Sequence, residues 1–121
     1  MILVKDNPKN GSGFDSIHTF ESWKVAFITC APQYGELKEL KRHMLTDEVF
    51  VLVDGSATIY TLEEEKLVQM SMERGKLYVV EKATWHHVQV SDDVLLAVVE
   101  NGDTSKENTE RRQFVLANEK E

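Results

Sequence analysis

Three stretches that otherwise read as buried carry side chains with metal-binding or acid–base chemistry. In Glu48 to Val53, Val49, Val51 and Val53 share one face and Phe50 and Leu52 the other, and Glu48 heads that second, apolar row. A carboxylate in such a row needs a cation, a metal or several hydrogen-bond donors, unless it sits at a rim in water. In Trp85 to Val90, period-two alternation places His86 with Val88 and Val90, and His87 with Trp85 and Gln89, so His86 is the interior candidate. An imidazole there is either a ligand or a hydrogen-bonded core residue, the second being the commoner use. In Leu37 to His43 the odd positions put Glu39, Lys41 and His43 on one face, which suits a polar pocket or an ordinary solvated surface.

Other reactive residues have plainer readings. His87 points away from His86, which gives it a surface role or a supporting one behind the site, and His18 falls in a polar leading segment where solvent exposure is expected. Trp23, Phe50, Tyr78 and Trp85 read as core or interface packing. Cys30 has no histidine close in sequence and no helix start beside it, and is expected to be a small buried hydrophobe. A lone cysteine also excludes an intrachain disulfide, which fits a reducing cytoplasm.

These residues must be positioned by one small domain. The 121 residues are 41% apolar and 29% charged, with six Gly and two Pro, a globular composition too short for two cores. The longest apolar run, Val94 to Val99, is far below the ~20 residues of a membrane-spanning helix. Fourteen basic against 21 acidic side chains give a net charge of −7 with no basic stripe, which argues against nucleic acid or an anionic lipid surface as partner. The first ten residues lack the apolar region and cleavage pattern of a secretory signal.

From Trp23 onward, short apolar runs alternate with turn residues, and no stripe of helical period persists for ten residues. The pattern predicts an all-β domain with strands over Trp23 to Thr29, Leu37 to His43, Glu48 to Val53, Ala57 to Leu62, Leu67 to Met72, Leu77 to Val80, Trp85 to Val90 and Val94 to Glu100. The connections Asp54-Gly55-Ser56, Glu63-Glu64-Glu65, Glu73-Arg74-Gly75-Lys76 and Ser91-Asp92-Asp93 have hairpin chemistry. So many short strands in so few residues imply a small barrel or jelly roll. Residues 1–22 read as an arm or loop, 23–116 as the domain, with Phe114, Val115 and Leu116 as a last strand or docking segment, and 117–121 as a frayed tail. Val94 to Val99 is apolar on both faces and needs cover outside as well as inside, which predicts a homodimer.

The spacing resembles the first conserved motif of the cupins: Gly, five residues, His, one residue, His, three or four residues, Glu, six residues, Gly. Gly35 is followed by Glu36 to Leu40, then Lys41, Arg42 and His43, four residues to Glu48, and six to Gly55, so only the first histidine departs. The second motif is Gly, five residues, Pro, one residue, Gly, two residues, His, three residues, Asn. Here Gly75 and His86 keep their places, while Glu81, Ala83 and Val90 replace Pro, Gly and Asn.

The resemblance covers roughly residues 23 to 100 and implies a cupin-type double-stranded β-helix, a jelly-roll barrel. It also implies that Lys41, His43, Glu48 and His86 project into one end of that barrel. Carried over residue by residue, His43, Glu48 and His86 would hold a divalent metal (iron, manganese, nickel or zinc), a two-histidine, one-carboxylate set that leaves positions open. Lys41, the catalytic candidate, would orient an anionic group or stabilise developing negative charge. In the alternative, Lys41 pairs with Glu48 in place of a metal and the protein is a non-catalytic small-molecule binder; Lys41 could also be neutralised by Glu39 or swing out to the mouth. The resemblance implies a small-molecule ligand, a sugar or organic acid, and leaves the reaction open.

Overall fold

A computed structural model of the chain describes residues 1–104 and 107–114. Its strands are β1 (Phe14–Phe20), β2 (Trp23–Ile28), β3 (Glu39–His43), β4 (Glu48–Asp54), β5 (Ala57–Glu63), β6 (Lys66–Ser71), β7 (Leu77–Val80), β8 (His86–Val90), β9 (Leu95–Asn101) and β10 (Thr109–Gln113), with one 3-10 turn at Pro32–Tyr34. They form two antiparallel sheets, ordered β1-β2-β9-β4-β7 and β10-β3-β8-β5-β6. The sheets close on a core of Ala26, Ile28, Phe50, Leu52, Ile59, Val88, Leu96 and Val98, each the inward member of an alternating strand. This is the all-β jelly-roll barrel that the strand pattern predicts. No helix among the described residues is long and apolar enough to cross a membrane.

All eight predicted strands form, and two more join them. β1 lies where the sequence predicts an arm or loop; a register shift between Ser16 and His18 breaks its alternation, and the strand is set by backbone pairing with β2. His18, expected in solvent, is half-buried, accepting from Lys5 Nζ at 3.0 Å and tilted against Trp23. β10 contains no apolar residue, and its partner β3 defines it. Such a charged edge resists pairing with other chains. Val115, Leu116 and the tail lie outside the described residues. Cys30 is a correction: it is exposed, with Sγ 3.6 Å from Asp92 Oδ1. It lies beyond the end of β2 at Ile28, and the lack of a histidine or helix start beside it carries no information about burial.

Two turns hold the barrel ends. Gly55 has φ +76°, and a Cβ there would stand 2.7 Å from Val94 Cα and 2.8 Å from Val94 N. The β4–β5 turn therefore lies directly on the β8–β9 turn, where Ser91 N donates to Ser56 O at 3.0 Å. The β5–β6 connection uses Glu64 and Glu65 at φ +51° and +64°, the left-handed pair of a type I′ hairpin normally filled by Asn-Gly. The outward face of the first sheet carries two apolar rows in register, Val25-Val99-Val49-Val79 and Phe27-Ala97-Val51-Leu77, with Leu77 63% and Val79 50% exposed.

Gly55→Ala should destabilise the protein by at least about 1–2 kcal/mol, the cost of a left-handed backbone with a Cβ, while the double change Glu64→Asn, Glu65→Gly should stabilise it by about 1 kcal/mol. Urea unfolding curves of the three proteins check both signs.

Candidate functional site

Both sheets contribute to one polar cluster at an end of the barrel. In one sheet, Lys41 on β3 stands in register with His86 on β8, and His43 follows two residues along the same face. In the other, β9 places Glu100 in register with Lys24 of β2, and β4 brings in Glu48. Glu48 and Glu100 continue the buried rows Phe50–Leu52 and Leu96–Val98, so both carboxyls are carried inward by the parity of their strands. His43, Glu48 and His86 each offer a donor atom within 4.8 Å of the others. The three residues that the sequence selects thus meet at one point.

The hydrogen bonds fix how the imidazoles face. His86 Nδ1 donates to Thr84 O at 2.9 Å, which turns Nε2 to Glu48 Oε1 at 3.0 Å. Thr109 Oγ1 gives its proton to Thr104 O, so it accepts from His43 Nδ1 at 3.0 Å, and His43 Nε2 lies 3.8 Å from Glu48 Oε2. Both rings therefore present Nε2 to the one carboxylate. Burial lowers the His43 pKa more than Glu48 raises it, which favours the neutral ring.

Glu48 and Glu100 divide their ionisation. Burial raises Glu48, but the hydrogen bond and charge of His86, with help from Glu100 and His43, hold it below the usual carboxylate range. Glu100 is driven the other way, to about 9, by burial first and then by the charge of Glu48 and a hydrogen bond with it. Its Oε2 is sealed from solvent without a hydrogen-bond partner, a position that disfavours a charged carboxylate. Lys24 Nζ, 3.9 Å from Glu100 Oε1, opposes the shift without cancelling it. The pair is one carboxylate and one carboxylic acid.

Lys41 does not take Glu48 as its partner. Glu48 is engaged by the two imidazoles, and Lys41 forms no ion pair within 4.0 Å among the described residues. Glu39 does not neutralise it either, because Glu39 accepts from Arg111. The register explains this: Lys41 has His86 on one side and Arg111 on the other. Burial first, then the Arg111 charge, lower the Lys41 pKa against the pull of Glu48 and Glu39.

The cluster lies in a cavity of about 620 Å³ with an apolar wall of Phe14, Ile28, Phe50 and Val88. Tyr34, on the 3-10 turn, also lines it, and burial, then Glu48 and Glu100, keep its phenol protonated well above the usual range. His87 turns from Glu48, as alternation requires, but is buried, its Nε2 donating to Gly35 O at 2.7 Å, so it ties β8 to the segment carrying Tyr34. Sequence reasoning missed Glu100, Tyr34, Thr109 and Arg111. Glu100 carried a signal, since it ends the inward row Val94, Leu96, Val98 just as Glu48 heads its own.

No protein-family model and no curated protein matches the sequence. Solved structures do. A cupin-2 domain-containing protein from Shewanella frigidimarina aligns at TM-score 0.56 and 17% identity over 77% of this chain and 83% of that one. The chain has the cupin fold. Streptomyces Pac13 with uridine, a nucleoside dehydratase, aligns at TM-score 0.64 and 14% identity over 95% and 89% of the two chains. Oxalate decarboxylase from Bacillus subtilis aligns at TM-score 0.57 and 19% identity over 74% of this chain, which spans 24% of that enzyme.

In the folded protein Glu100 keeps its proton to about pH 9 while the unfolded chain loses it near the ordinary value of about 4.3. The folded state thus binds more protons through that window, and this residue's contribution to stability falls as pH rises. Glu100→Gln, whose amide still donates to Glu48, should gain on the wild type from about pH 5 to 9 and show no gain near pH 4. Denaturant titrations of both proteins at pH 4, 7 and 9 measure the difference.

Proposed function

We propose that this cupin-fold protein is a metal-dependent enzyme acting on a small polar metabolite, a sugar or organic acid, with His43, Glu48 and His86 as metal ligands. The observation that carries the reading is the convergence of two Nε2 atoms on one ionised carboxylate. Donors bound to one ion at about 2.0–2.2 Å sit roughly 3–3.6 Å from one another; His86 Nε2 lies 3.0 Å from Glu48 Oε1, and His43 Nε2, 3.8 Å from Glu48 Oε2, has only a few tenths of an ångström to close. Each ring is held through Nδ1, as metal-bound histidines usually are. The donor set therefore fits a divalent ion of the iron, manganese, nickel or zinc group. When bound, such an ion supplies Lewis acidity toward a carbonyl or hydroxyl oxygen.

The chain's own residues supply the rest. Lys41 offers an ammonium that has no ion-pair partner among the described residues to an anionic group, Glu100 holds a proton beside Glu48, and the protonated Tyr34 phenol is a donor at the wall. The apolar wall limits water around the cluster. Fold neighbours that act on a nucleoside and on oxalate support a small polar substrate. A second reading, the non-catalytic binder, draws on the direct 3.0 Å Glu48–His86 contact, which satisfies the carboxylate without an ion. In that form the imidazoles, not Lys41, are the counterpart of Glu48.

Metal analysis of protein purified without chelator, followed by calorimetric titration of stripped protein with each of the four ions, separates the two. About one equivalent is expected in the wild type, with affinity reduced more than about 100-fold by His43→Ala and by His86→Ala. Failure of all four ions to bind overturns the enzyme reading and leaves the binder.

The outward apolar rows of the first sheet support a homodimer, since the continuous face from Val25 to Val79 bears no charge and Ile2, Leu3 and Val4 add exposed apolar side chains on the same chain. Light scattering should give twice the 13.9 kDa chain mass. Leu77→Glu, at an exposed position on that face, should give the monomer with the barrel still folded. A monomeric wild type excludes the dimer.

A further inference from the structure

Lys41 and Arg111 are cross-strand neighbours on β3 and β10, and both side chains line the cavity. Two like charges directly opposite one another on a sheet face are destabilising. Glu39 offsets part of this by accepting from Arg111 Nη1, but Lys41 and the other guanidinium donors have no partner among the described residues. A second cavity of about 410 Å³ adjoins the first and shares Gln33, Tyr34, Lys41, His87 and Arg111 with it. The two basic side chains thus stand at the junction of two spaces.

We propose that Lys41 and Arg111 form an oxyanion subsite, so that the substrates are small anionic metabolites carrying a carboxylate or a phosphate. The inference rests on the reading of His43, Glu48 and His86 as the reacting centre. Lys41 occupies the position where the cupin motif has its first histidine, so the substitution exchanges a ligand for a cation in the same pocket. A guanidinium adds a planar fork suited to two oxygens of one anion, and the ammonium adds a compact charge. Two residues along a strand span about 6.6 Å, which separates Lys41 from His43 on the same face. The anionic group therefore lies only a few bonds from the atom presented to the triad. The chain's net charge of −7 disfavours polyanions and leaves the local pair to hold a single small oxyanion.

The test uses metal-stripped full-length protein at low ionic strength, titrated with inorganic phosphate, with succinate and with glucose, and followed by amide chemical shifts. Saturable shifts centred on Lys41, Arg111 and their strand neighbours are expected with phosphate or succinate and not with glucose. Lys41→Met and Arg111→Gln should each weaken binding about tenfold or more, and Lys41→Arg should retain most of it. Stronger binding of phosphate points to phosphorylated substrates, and stronger binding of succinate to organic acids. No saturable binding of either anion, shifts centred elsewhere, or equal binding by both charge-removing variants overturns the subsite. The wild-type shift map decides the matter even where a variant does not fold. His43→Ala and His86→Ala should keep anion binding while losing metal, so metal uptake without anion binding removes this inference alone. Anion binding without metal uptake removes the metal reading alone.

Discussion

One desolvated negative charge, at Glu48, governs the arrangement around it. A carboxylate at the head of an apolar row is stable only where donors or counter-charges replace the lost water. The His86 ring from the opposite sheet at 3.0 Å and the hydrogen bond from Glu100 meet that need, and the two histidines of the cluster are braced, His86 by Thr84 and His43 by Thr109. Glu100 then has no way to ionise as well, and the protons of the cluster are distributed by this one constraint. The electrostatics and the strand topology are two descriptions of the same packing problem.

Much of this was legible in the sequence. Alternation set every predicted strand and the inward facing of Glu48 and His86, because β-sheet parity is local and robust. Motif spacing added His43, which parity alone left between a pocket and a solvated face. Two of the four edge strands were not legible: Phe14–Phe20 carries a register shift that scrambles its pattern, and Thr109–Gln113 has no apolar pattern to read. β1 is set by backbone pairing with the adjacent β2, and β10 by β3, far along the chain.

The site residues follow the same division. Glu100 was readable by the parity used for Glu48, whereas Arg111 and Thr109 reach the pocket only because their strand docks beside β3. The alternative Lys41–Glu48 pair depended on lateral placement between strands, about which sequence spacing carries no information. Cys30 was misplaced because the absence of neighbouring groups that would activate a thiol says nothing about whether the thiol is covered.

The polar strand β10 has a consequence for how the pocket behaves in time. It supplies Thr109, which orients His43, and Arg111, yet it is attached through backbone pairing and exposed ion pairs such as Arg42–Glu110 instead of buried apolar contacts. Elements held this way open at lower free energy than the core. The lateral wall of the pocket thus rests on a strand with no apolar anchor of its own, so the free energy that holds Thr109 and Arg111 at the site is smaller than the free energy that holds the barrel.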